Sequence, residues 1–127
     1  MRADGLPDPG PRPEAFTFPF AAASAALAAI EEAVAELQAM VSAHDDAVGD
    51  ARIDFEGETR RSFDRGFAQL MNRTDDRIRQ LQAQRDDLAD DIVEARRRRE
   101  ANLDATAEWG QAVQRYQEAQ ASGAVRP

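Results

Sequence analysis

The sequence predicts an all-α protein: an antiparallel helical hairpin with a long second helix, completed by a partner chain into a four-helix bundle or coiled coil. Three observations carry this. Apolar residues recur at heptad spacing in two long stretches. No proline interrupts the chain from Phe55 to Gln120. Charged residues reach 31% while aromatics are only 6%, a balance that suits long amphipathic helices better than a compact mixed core. A length of 127 residues predicts one domain. Such a chain buries only about two-thirds of its unfolded surface, so a large enclosed active site is not expected.

Residues 1–15 hold four Pro and two Gly and predict a flexible tail. The hairpin is expected over 16–120, with a second flexible tail over 121–127. Thr17 and Pro19 suit the start of a helix, which places helix 1 at about 19–48. Phe20, Leu27, Val34, Val41 and Val48 recur every seven residues, and Ala23, Ile30, Leu37 and His44 form a second row. Together they make one apolar stripe. The remaining surface is mostly Ala, the strongest helix former. Gly49 is a good cap for the end of this helix.

Residues 49–56 read as a turn, with Asp54 a plausible N-cap for the second helix. So short a connection implies antiparallel neighbours. Helix 2 is expected over about 57–120. Its apolar row runs Phe67, Met71, Thr74, Ile78, Leu81, Leu88, Ile92 and Ala95, then Trp109, Val113 and Tyr116 in the same phase. Asn102 to Thr106 favour caps, so the helix either continues or breaks near residue 104. Antiparallel pairing exhausts helix 1 near residue 85, which leaves Leu88, Ile92, Trp109, Val113 and Tyr116 without an intrachain partner. A hairpin burying one seam per helix predicts a second protein chain, the same or different. The expected interface is Phe20, Leu27, Ile30, Val34, Leu37, Val41, Ile78, Leu81, Leu88, Ile92, Trp109, Val113 and Tyr116. On this expectation Leu37→Asp abolishes assembly.

Several functions are disfavoured. The net charge of -8 argues against general binding to nucleic acid or anionic membranes. There is no Cys, hence no thiolate nucleophile or disulfide framework. The longest apolar run, Phe18 to Ile30, is too short to span a membrane and lacks the basic flank of a signal peptide. No phosphate loop, serine nucleophile or zinc-helix motif is present, so no enzyme activity, metal or cofactor is expected. His44 is the lone His and reads as a seam residue. The paired acids Asp75-Asp76, Asp86-Asp87 and Asp90-Asp91 diverge by about 100° on a helix and read as a solvated face. Arg96 to Arg99 is the one basic run and must wrap the helix. All 16 basic residues are Arg, which with the Ala content suggests a GC-rich bacterial genome.

One constellation resembles a known family. In Asp54-Phe55-Glu56-Gly57 an aromatic precedes Gly by two residues, and Phe63 and Phe67 come after it. This resembles the WXG-type small proteins of type VII (ESX) secretion, in which a Trp-x-Gly turn joins two long helices. The resemblance covers roughly residues 17–100. Phe55 stands where the family has Trp, and Tyr116 is followed four residues later by Gln120 rather than the acid of the export signal. The resemblance implies a hairpin that pairs with another hairpin, cytoplasmic before export by a type VII system. It implies a secretion substrate or an accessory partner of a larger secreted protein, with Phe55, Gly57, Phe63 and Phe67 shaping the turn. The alternatives are a structural coiled-coil scaffold, and an adaptor that docks through Arg96–Arg99, neither with a secretion role.

Overall fold

The computed structural model describes residues 6–54 and 56–125; Phe55, the aromatic of the turn motif, lies outside the described residues. The described chain is all-helical and contains two α-helices, α1 (Phe20–Ala51) and α2 (Gly57–Val125), joined through a single 3-10 turn at Arg52–Asp54. Among the described residues none forms a strand, and no helix is long and apolar enough to cross a membrane.

Two compact units divide the chain. One is the hairpin proper, Pro19–Ile92. Pro19 occupies the cap position rather than the first helical residue, and its carbonyl accepts the Ala23 N–H at 2.9 Å. α1 does not stop at Gly49. It continues to Ala51, with Arg52 still in right-handed helical conformation. Gly49 is therefore a helical residue and not a left-handed cap. Asp54 belongs to the 3-10 turn, and α2 opens three residues later at Gly57.

Gly57 carries the reversal of chain direction. Its φ is +62, a conformation that is sterically costly for residues with a Cβ. Space is not the constraint, because a Cβ added there would meet nothing within 4 Å. The turn is braced by Arg52, whose Nε donates to Asp64 Oδ1 at 2.8 Å.

The hairpin core is small. Val34, Ile78 and Leu81 are buried against one another, and Ile30, Ala33, Leu37 and Val41 pack around them. Ala23 and Val48 on α1 and Ile92 on α2 are also buried. No side chain in the described residues is fully enclosed. A seam between two helices leaves every core residue near an edge.

The second unit comprises the N-terminal segment up to Phe18 and α2 from Val93 onward. Residues 6–18 have no helical or strand pairing, yet they are not a free tail. Hydrogen bonds of Asn102 and Trp109 tie them to α2. Asn102 Oδ1 accepts the Phe16 N–H at 3.0 Å, and Asn102 Nδ2 donates to the Glu14 carbonyl at 2.7 Å. Trp109 Nε1 donates to the Gly10 carbonyl at 2.9 Å. Gly10 itself has φ +74 and donates its N–H to Asp8 Oδ1 at 2.9 Å, a tight local turn. α2 does not break near residue 104, because Asn102 commits both ends of its amide to this segment rather than to a cap.

Candidate functional site

The hairpin is tightly closed where Val34 meets Ile78 and Leu81, and opens toward the turn. There α1 presents Ala rather than a bulky residue at position 47 and His44 at the second seam row, while α2 presents Gly66 between Phe63 and Phe67. Small residues on both helices leave a gap that the two phenylalanines do not fill. The result is an open groove of ≈ 500 Å³ lined by His44, Ala47, Val48, Ala51, Phe63, Gly66, Phe67 and Leu70. A second hollow of ≈ 200 Å³ adjoins it, sharing His44 and Leu70 and adding Met40, Val41, Met71 and Thr74. Leu70 and Met40 remain 48% and 45% exposed, which continues the apolar floor onto the surface.

Among the described residues no Asp, Glu or Arg lines this groove. α1 carries Glu31, Glu32, Glu36, Asp45, Asp46 and Asp50 and no Arg. The facing part of α2 carries Arg60, Arg61, Arg65, Arg73, Arg77 and Arg79. Several of these pair locally, Arg60 with Asp64 at 4.0 Å, Arg61 with Glu58 at 3.3 Å and Arg79 with Asp76 at 3.8 Å. These are exposed helical pairs of small energetic weight. The groove lining is apolar, as the core of a protein interface is.

The expected interface residues divide among three places. Val34, Ile78 and Leu81, with Ile30, Leu37 and Val41 around them, form the core of this same chain. Phe20, Leu27 and Leu88 are half-buried and Ile92 buried within the hairpin unit. Trp109, Val113 and Tyr116 are half-buried in the other unit, where Trp109 bonds to Gly10. Of the turn motif, Phe63 and Phe67 line the groove and Gly57 supplies the left-handed residue. His44 is exposed at the groove edge rather than packed in the seam. No group of three His, Cys, Asp or Glu among the described residues could hold a metal ion. Arg96 to Arg99 are all exposed; Arg97 and Arg98 both reach Glu94, at 3.0 and 3.3 Å.

Met40, Ala47, Ala51 and Gly66 are the groove residues that heptad reasoning passed over, whereas Phe63 and Leu70 were legible as a widening of the apolar stripe near the turn. Met40, Ala47 and Gly66 lie beside the main rows, not on them. The signal was a second, offset stripe, Met40 to Ala47 on α1 and Gly66 to Leu70 on α2, with small residues opposite large ones. No family model matches this chain, and neither a curated protein nor a solved structure matches it.

Proposed function

We propose that this protein is a non-enzymatic helix-pairing protein whose hairpin receives a helical hairpin of a second chain, completing a four-helix bundle. The observation that supports this reading most is the open apolar groove of ≈ 500 Å³ at the turn end. Apolar surface left beside a thin core favours association, because covering it removes it from water. In the finer form of the proposal, carried by the aromatic-x-Gly turn, the protein acts as a WXG-like type VII secretion substrate or accessory partner.

The test is molar mass by light scattering, on the native chain and on Leu70→Asp. Leu70 lies on the groove and away from the buried core. The expected result is a native assembly of twice 14.0 kDa that Leu70→Asp returns to one chain with its helix content intact. A native monomer that unfolds cooperatively, unaffected by Leu70→Asp, would overturn the proposal. The secretory role is tested separately by following the tagged chain in its source cell. Export that persists unchanged when the type VII apparatus is disabled would overturn the type VII role, and no export at all leaves a scaffold role instead.

A further inference from the structure

The second half of α2 continues the heptad row with different chemistry. Toward the turn the row is Met71, Ile78 and Leu81; beyond Ala95 it becomes Arg99, Asn102, Thr106, Trp109, Val113 and Tyr116. These positions mix apolar bodies with hydrogen-bonding tips. A packed helix shows its neighbour almost no free backbone groups, so such tips are wasted against one. An extended segment exposes a carbonyl and an N–H at nearly every residue, and those are what the tips engage here. Asn102 reads one carbonyl and one N–H of the segment, and the Trp109 indole reads another carbonyl.

The seated segment has matching properties. Pro7, Pro9, Pro11 and Pro13 restrict its backbone before it docks, which lowers the entropy lost on binding. Leu6, Pro9, Pro13, Phe16 and Phe18 are its half-buried residues, and the first four recur every three to four residues, near the three-residue turn of a polyproline helix. An aromatic indole donating to a carbonyl of a Pro-rich strand is a known way of reading such peptides. We propose that the face of α2 carrying Asn102 and Trp109 is a docking site for an extended, Pro-rich peptide, and that residues 6–18 fill it in cis as a removable latch. Side-chain hydrogen bonds of Asn102 and Trp109 hold the latch, those to the Glu14 and Gly10 carbonyls are solvent-exposed, and residues 6–18 form no strand or helix. That places the latch at the low-stability end of the molecule.

The experiment uses the full chain and a fluorescein-labelled peptide of residues 6–18. Two variants open the latch without touching the site. Phe16→Pro removes the N–H that Asn102 accepts, and Gly10→Val cannot hold φ +74 and displaces the carbonyl that Trp109 reads. Trp109 is the only Trp, so its emission reports the opening directly. Both variants are expected to shift that emission to the red. They are expected to bind the labelled peptide at least about tenfold more tightly than the native chain, where the tethered latch competes at an effective concentration on the order of millimolar. Asn102→Ala is expected to show the red shift with no peptide binding. Equal peptide affinity for all four chains, equal affinity for a scrambled peptide, or unchanged Trp emission on opening would each overturn the proposal. Loss of helix content in both opened variants would also overturn it, since a segment that the helix needs in order to form is not a removable occupant.

Discussion

Leu81→Ala separates the core of the hairpin from its groove. Leu81 is 7% exposed and touches Val34 and Ile78, whereas Leu70, on the same helix, is 48% exposed on the groove floor. Burying a Leu and then truncating it to Ala costs about 2–5 kcal/mol, the upper part of that range belonging to sites that keep a closed cavity. Here no side chain is fully enclosed, so the space left by Leu81 opens toward solvent and the cost falls near the lower end, about 2–3 kcal/mol. Leu70 already leaves about half its surface in water, so Leu70→Ala in the single chain costs about 1 kcal/mol or less. Urea unfolding followed by helical circular dichroism, at a concentration low enough to keep the chains separate, measures both. Equal costs for the two variants, or a Leu81→Ala cost under about 1 kcal/mol, would refute the assignment of core and groove.

Other substitutions test the turn and its neighbours. Gly57→Ala should destabilise the hairpin by about 1–2 kcal/mol, read by the same unfolding curve, because Ala must adopt φ +62. Gly49→Ala should do the opposite and stabilise by about 0.5–1 kcal/mol, since Gly49 is helical and a Cβ there meets nothing; destabilisation would restore Gly49 as the cap. Arg52→Ala should cost at most about 1 kcal/mol and lose most of that effect at high salt, because the Arg52 and Asp64 side chains are 39% and 37% exposed. Leu37→Asp should lower helix content as well as mass, because Leu37 packs on the core of its own chain.

The helices were legible in the sequence because a heptad row is a direct record of which face is buried. Val34, Ile78 and Leu81 all sit on those rows, and all three form the core. Boundaries were less legible. Gly49 resembles a cap because Gly commonly ends helices, but nothing local required the left-handed turn there rather than at Gly57. The N-terminal segment was not legible at all. Alternating prolines exclude helix and strand, and periodicity detects nothing else. Its place depends on Asn102 and Trp109, 86 and 99 residues away from the groups they bind. Asn102 stood on the apolar row as a misfit, readable equally as a break in the helix or as a side chain with a backbone to bind. The groove was half legible, through Phe63 and Phe67, while its depth comes from the absence of side chain at Gly66 and its small size at Ala47.

Charge decides what kind of helix can lie on α1. Its six carboxylates stand without one Arg among them. A second acidic helix would meet repulsion along its whole length, whereas a helix with Arg beside an apolar seam, as α2 has between Arg60 and Arg79, would be drawn in. These rim charges are exposed, so their effect should be visible in ionic strength. Raising salt from about 0.05 M to about 0.5 M shortens the screening length from beyond about 10 Å to well below it. Association through matched rims should then weaken several-fold, chiefly by slower encounter, and Glu36→Arg should weaken it further at low salt while losing that extra effect at high salt. Sedimentation velocity across the salt series reads both. Affinity that holds steady or rises with salt would sink the charge argument and leave apolar burial at the groove as the whole basis of pairing, because salting-out strengthens apolar contact and screening cannot.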